Sequence, residues 1–337
     1  MKKIIVDAFG GDNAPIEVIK GAVNAVNEKE NFIVTLVGDS SIISDELLNY
    51  DYDKSRIEII HAPQVISNNE SPTEAVRKKK DSSIVVGFNT LNNDEDAQAF
   101  VSAGSSGAVL TGAVLLVKRI KGVVRPALVP TLPTRNGAEV ALIDCGANAD
   151  CKPNILVQFA HLGKAFAECS LGIQNPRIGL LSNGAEDKKG NELCKETFPL
   201  LKEDTAINFV GNIEARDILT GVVDVVVTDG FSGNVALKSC EGTAETLMGL
   251  IKDNILAGGL RAKLGYLLLK PALKKVASVM NYNDKGGAIL LGLKKVVIKA
   301  HGSSKAKSIT AAILQAVGYI EGGLIESATA IIEGENG

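Results

Sequence analysis

The segment VVDVVVTDGFSGN, residues 222–234, decides how the chain is read. Its first half is an apolar run rich in valine without strict alternation, the mark of a strand buried on both faces. Its second half is a Gly/Asp/Asn/Ser turn that leads into a helix. Five more segments share this build: IIVDAFGGDNAP from Ile4, FVSAGSSGA from Phe100, VALIDCGANADCKP from Val140, IGLLSNGAEDKKGNE from Ile178 and VVIKAHGSS from Val296. Doubly buried strands joined through helices predict an α/β fold, a mostly parallel sheet with helices on both faces. Ligands of such sheets bind outside the carboxyl ends of the strands. The six turns therefore predict one polar site assembled from separated parts of the chain.

At 337 residues there is room for two lobes, and aromatics at 4% with no Trp imply a core of Val, Ile, Leu and Ala. Prolines 126, 130 and 133 mark a compact division near Arg125–Pro133. The expected lobes are residues 1–125 plus 280–337 and residues 126–246, followed by a helical hairpin over 247–279. Ser71-Pro72-Thr73-Glu74 predicts a helix start. That helix ends in Arg77-Lys78-Lys79-Lys80, cations that suit a helix carboxyl end or an acidic partner. Ile155, Phe159, Leu162 and Phe166 predict an amphipathic helix over Asn154–Cys169. In Leu247–Val279, six lysines and arginines stand against the single acid Asp253, among many leucines, and Gly258-Gly259 divides the segment into two helices. A basic, leucine-rich hairpin fits either a membrane surface or a subunit interface.

The formal charge of −3 gives no reason to expect nucleic-acid binding. Five cysteines without a C-x-x-C pair suggest neither a disulfide framework nor a zinc site. The amino-terminal apolar run is interrupted by Asp7, which argues against a secretion signal, and no stretch of 18 apolar residues predicts a spanning helix. There is no G-x-G-x-x-G after the first strand, no Walker A sequence and no complete G-x-S-x-G, so nucleotide sites and nucleophile elbows lack support. No metal and no cofactor are expected, since clustered aspartates alone do not make a magnesium site.

What the turns offer is backbone N–H groups and small hydroxyls. Gly10-Gly11-Asp12-Asn13-Ala14-Pro15, Ser105-Ser106-Gly107 and Ser232-Gly233-Asn234 all sit where a strand passes into a helix, a position that favours anions such as phosphate. Lys188 and Lys189 in a glycine-containing turn suit charge neutralisation of a phosphate or an ordinary solvated loop. Asp229 follows Val225-Val226-Val227-Thr228 where a strand delivers its last side chains. His301 follows Val296-Val297-Ile298 in the same way and titrates near neutrality when unperturbed.

The motifs VDAFGGDNAP, VSAGSSGA, RPALVPTLPT, DCGANADCKP, KGNEL, GNIEARD, VVVTDGFSGNVALK, GGAILLGLK and IKAHGSS run in order from Lys3 to Ser304. Together they resemble the bacterial phosphate acyltransferase family of phospholipid synthesis, the acyl-acyl-carrier-protein:phosphate acyltransferases. The chain departs from the family pattern at Phe9, where methionine is common, at Ser105-Ser106, where Asn-Thr is common, and near Asn183-Gly184. The resemblance implies a fold like phosphotransacetylases and the isocitrate and isopropylmalate dehydrogenases. It also implies attack of inorganic phosphate on the thioester of a long-chain acyl group on acyl carrier protein, a homodimer, and peripheral contact with the inner face of the cell membrane. The acyl phosphate product would pass to a membrane-bound glycerol-3-phosphate acyltransferase.

For that chemistry, Gly10, Gly11, Asn13, Ser106, Ser232 and Asn234 are expected to contact phosphate and the oxyanion. Asp229 and His301 are expected to orient groups or deliver a proton to the leaving thiolate, and Lys188 to neutralise charge. The acidic carrier is expected to dock at Arg77, Lys78 and Lys79 or at Lys270 and Lys274. Ile255, Leu256 and Leu260 are the expected membrane contacts. Three other readings compete: a phosphotransacetylase acting on short acyl groups of coenzyme A, a dehydrogenase of the same fold type, and a non-catalytic membrane scaffold.

Overall fold

The structure, a computed structural model, describes residues 1–280 and 286–335. In chain order the first part comprises β1 (Lys2–Asp7), α1 (Ile16–Glu28), β2 (Phe32–Gly38), α2 (Ser40–Leu47), β3 (Ile57–His61), α3 (Pro72–Lys78), α4 (Ser83–Asn93), β4 (Ala97–Ser102) and α5 (Ser106–Gly112). There follow β5 (Ala127–Val129), β6 (Thr131–Pro133), β7 (Glu139–Ile143), α6 (Pro153–Ser170), β8 (Arg177–Ser182), α7 (Glu192–Glu203), β9 (Asn208–Glu214) and β10 (Val225–Val227). The chain closes with α8 (Gly230–Ala257), α9 (Gly259–Met280), β11 (Gly287–Leu291), β12 (Val296–Ala300), α10 (Ala306–Glu321) and α11 (Leu324–Glu335).

Two sheets result, as the doubly buried apolar runs require. The first has seven strands in the order β3-β2-β1-β4-β12-β11-β5, parallel from β3 to β12 with β11 antiparallel to both its neighbours. The second has five, β6-β7-β10-β8-β9, parallel except for the edge strand β6. All three residues of β10 are buried, since a central strand covered by helices on both faces has no wet side. The chain crosses between sheets at Pro130, inside the expected proline-rich window, and β5 still belongs to the first sheet. One apolar cluster then joins the two lobes. It runs from Ile4 and Ile298 through Phe159 and Phe166 of α6 to Ile178 and Val225, with Leu324, Ala328 and Ile332 of α11 included.

The expected hairpin is present but begins earlier than its composition suggests. Helix α8 is continuous over 28 residues from Gly230, so no boundary falls at 246/247. At 1.5 Å per residue it is about 42 Å long. From Glu241 onward none of the described residues of α8 and α9 is buried, and Leu256, Leu260 and Leu268 are 58%, 88% and 77% exposed. Gly259 adopts φ +69° at the joint between the two helices, where the expected break lies. Among the described residues no single helix is long and apolar enough to cross a membrane.

Candidate functional site

Between the strand ends of the two sheets lies a cavity of about 350 Å³. Lys299, Ala300, His301 and Gly302 reach it from the end of β12, and Ser106 from the turn after β4. Cys145 and Gly146 line it from the turn after β7, and Asn234, Leu237, Lys238 and Glu241 from one face of α8. Residues 234, 237, 238 and 241 share that face because they lie three or four apart on a helix. The site is therefore built at strand ends, with both lobes contributing.

Two turns support this cavity: the one after β1 does so without lining it, and the one after β7 also lines it through Cys145 and Gly146. After β1, Asp12 donates its N–H to the Gly302 carbonyl at 2.8 Å, and Asn13 Nδ2 donates to the carbonyls of Ser303 and Ser304 at 3.0 and 3.2 Å. Gly11 there has φ +104°, a conformation open to glycine, and a side chain would press on the Gly302 carbonyl. Gly11 and Asn13 thus position the His301 turn, whereas Gly10 packs against Asp7, Ser102 and Gly104. After β7, fully buried Asp144 accepts from Leu128 N, Ala147 N, Asn148 N and Asn148 Nδ2 at 2.8, 3.2, 2.7 and 2.9 Å. Burial pushes its carboxyl above the usual range, against the pull of those donors. The loop it organises meets α8 so closely that a β-carbon at Gly233 would collide with the Asp144 carbonyl oxygen.

Asp7 closes the first lobe's strand ends in a similar way. Its carboxylate accepts from Ser102 Oγ at 2.6 Å, and Ser102 Oγ accepts from Gly104 N at 3.0 Å. Full burial raises its pKa, opposed by the hydroxyls of Ser102 and Ser83, the Phe9 N–H and the charge of Lys299. Lys299 itself is 8% exposed, and its Nζ donates to the carbonyls of Ala103, at 3.4 Å, and Ala300. Desolvation pulls its pKa down to about 8, with Asp7 and Asp12 resisting.

His301 is held by its own turn. Nδ1 accepts from the Ser303 N–H at 3.3 Å and lies 2.8 Å from Ser303 Oγ, which places the ring proton on Nε2. Partial burial, with Lys238 and Lys299 nearby, lowers its pKa, so the ring is neutral at pH 7. Lys238 pairs with Glu241 at 2.7 Å. Cys145 lines the cavity at only 3% exposure, and burial raises its thiol well above the ordinary value, which leaves no thiolate nucleophile there.

Asp229 and Ser232 occupy a different place. Asp229 caps α8, accepting from Ser232 N at 2.8 Å and Ser232 Oγ at 2.9 Å. Both residues line a second, largely apolar cavity of about 810 Å³ with Leu181, Leu219, Phe231 and Val235. That cavity follows the opposite face of α8 as far as Leu247. Of the expected site residues, His301, Ser106 and Asn234 thus share the inter-lobe cavity, whereas Asp229 and Ser232 do not line it. Lys188 is exposed and lines neither cavity, although Asn183, Gly190 and Asn191 of its turn line the second. Lys299 and Lys238 were missed by sequence reasoning. A lysine inside the otherwise apolar strand VVIKA, and a lysine one helical turn after Asn234, were the available signals.

Of the expected carrier-docking cations, Lys78 pairs with Glu74 and Lys79 with Glu70, both at 2.8 Å. Arg77 and Lys270 are exposed, and the side chain of Lys274 lies outside the described residues. Ile255 is half-buried. Among the described residues no group of three His, Cys, Asp or Glu side chains is disposed to hold a metal ion.

Two mostly parallel sheets sharing a core, with a cleft at their strand ends, define a two-lobed α/β protein. A phosphotransacetylase from Streptococcus pyogenes superposes with a TM-score of 0.63 at 19% identity, covering 95% of this chain and 94% of that one. A branched-chain phosphotransacylase from Enterococcus faecalis V583 gives 0.56 at 14%, covering 95% and 100%. At such identities the likeness is one of fold. Sequence goes further: the profile of the family described as "Fatty acid synthesis protein" matches residues 2–327, and the chain belongs to that family. A phosphate acyltransferase of Clostridium novyi is 48% identical over 331 residues, 98% of each chain. One of Bacillus licheniformis is 50% identical over 314 residues, 93% of each.

Proposed function

We propose that the chain is a phosphate acyltransferase that moves a long-chain acyl group from the thioester of acyl carrier protein to inorganic phosphate. The products are acyl phosphate and free carrier. The observation that carries this reading is the composition of the inter-lobe cavity: two lysines, a neutral histidine, small polar groups, and a buried cysteine that stays protonated. Phosphate supplies the nucleophile itself, so the protein has to hold the dianion against the carbonyl and stabilise the oxyanion. Lys238 and the Ser106 hydroxyl suit the dianion, and Asn234 and the His301 Nε2–H suit the carbonyl oxygen.

The exposed leucines of α8 and α9, flanked by Lys252, Arg261 and Lys270, support peripheral contact with an anionic membrane surface. The same arm suits a homodimer, with its flanks paired and its tip at Leu256–Leu260 free. Acyl phosphate delivered there reaches a membrane-bound glycerol-3-phosphate acyltransferase without crossing water. The carrier, being acidic, docks at exposed Arg77 or Lys270.

The test is trapping of acyl phosphate as its hydroxamate after incubation of the purified chain with inorganic phosphate and a palmitoyl carrier thioester. The reading expects phosphate-dependent hydroxamate, and a lower rate with acetyl-coenzyme A. Preference for acetyl-coenzyme A identifies a short-chain phosphotransacetylase instead. No product from either donor identifies a scaffold.

A further inference from the structure

We propose that Lys299 is the general acid of this site, giving its Nζ proton to the sulfur that leaves the thioester. The inference rests on the acyl-transfer reading above. Three features of the structure carry it. Lys299 lines the inter-lobe cavity although its side chain comes from a strand whose five residues are all buried. An ammonium has three donors, and the carbonyls of Ala103 and Ala300 take two of them, which leaves one for a group in the cavity. The other acids expected from the sequence are poorly placed or in the wrong state: Asp229 lines the second cavity, and His301 is already neutral.

The chemistry balances without a further reactant. Phosphate dianion attacks the thioester carbon, forming a C–O bond and a tetrahedral oxyanion. Collapse breaks the C–S bond, the electron pair leaves with sulfur, and Lys299 protonates it to the thiol. The neutral amine then regains a proton from water. An alkyl thiol has a pKa of about 8.5, so an ordinary lysine is a weak donor to its thiolate. Burial, which shifts Lys299 to about 8, matches donor to acceptor. The charged groups acting on it are Asp7 and Asp12 from β1 and its turn and Lys238 from α8, with Glu241 and His301 completing the cavity's titratable set.

The experiment compares two acyl donors: a palmitoyl thioester of N-acetylcysteamine, whose thiolate needs a proton, and one of an aryl thiol, whose thiolate does not. With the first donor, Lys299→Met is expected to lose 10²–10⁴-fold in kcat, the usual span for a lost general acid. Lys299→Arg, which keeps the charge but cannot release a proton near pH 7, is expected to lose as much. With the aryl donor both variants are expected to come within about tenfold of the wild type. The phosphate KM should stay unchanged throughout. Equal losses with both donors, a raised phosphate KM in Lys299→Met, or a fully active Lys299→Arg overturns the assignment. Failure of the wild-type chain to form acyl phosphate from either donor overturns the functional reading and the assignment together.

Discussion

The turn after β7 and the turn after β12, DCGAN and AHGSS, are both small-residue turns around a glycine and both reach the cavity, yet they use their polar groups differently. Asp144 turns inward and spends its oxygens on the backbone of its own loop and on Leu128 N. The β12 turn hands its carbonyls to Asp12 and Asn13 and leaves Lys299, His301 and Gly302 on the cavity. A Gly/Asp/Asn/Ser turn at a strand end thus serves mainly as a brace or mainly as a working surface, and the turn after β7 braces while Cys145 and Gly146 still touch the cavity. What separates the two is whether a carboxylate occupies the space an anion would need. The turn after β1 is a brace for β12, and the turn after β7 is a brace for α8.

If that division is right, damage to a brace unfolds the protein and damage to a working turn leaves it folded. The largest effect is expected from Asp144→Ala, which takes the acceptor from the N–H groups of Leu128, Ala147 and Asn148. Loss of more than about 3 kcal/mol in urea unfolding is predicted, with Gly233→Ala close behind because the clash is with backbone. Lys299→Met should do the reverse. Folded Lys299 sits near 8 and an exposed lysine at 10.5, so between these values the unfolded chain holds the extra proton. Wild-type stability therefore rises with pH across that window, by up to roughly 3 kcal/mol, and below pH 8 the buried charge is a constant cost. Lys299→Met should be more stable than wild type at pH 7 and lack the rise, as urea titrations from pH 7 to 10.5 would show.

Smaller effects sharpen the contrast. His301→Ala is expected to keep the melting temperature within a few degrees while reducing kcat/KM about tenfold, as loss of one hydrogen bond to the oxyanion implies. Asp229→Asn removes charge from a helix cap and should cost up to about 1 kcal/mol of stability with little change in kcat. An Asp229→Asn variant without turnover would return that residue to the reacting site. The smallest stability change belongs to Leu260→Ser on the exposed arm, within about 0.5 kcal/mol. The same variant should weaken sedimentation with anionic vesicles.

The parallel sheets were legible because uninterrupted Val/Ile runs have few alternatives to a doubly buried strand, and the helix from Pro153 because its apolar spacing is regular. The roles of the turns were not, since brace and binding surface call for the same small residues. Asp229 read as catalytic from its place at a strand end, and a capping aspartate occupies the same place. Lys299 escaped notice because lysine is rarely buried, and a lone one in VVIKA passes for an edge residue. The arm was cut at Leu247 because composition changes there, although nothing between Gly230 and Ala257 breaks the helix. Covalent continuity links the site to the arm, so the helix that lines the cavity at Asn234 also carries the exposed leucines.

The central claim is that phosphate binds between the lobes and not at the other anion-suited turns. A crystal structure grown with inorganic phosphate tests it most directly. The account predicts phosphate in the inter-lobe cavity, within hydrogen-bond reach of Lys238 or Ser106. Phosphate bound instead at the Lys188 turn, or at Asp229 and Ser232 in the apolar cavity, would contradict it.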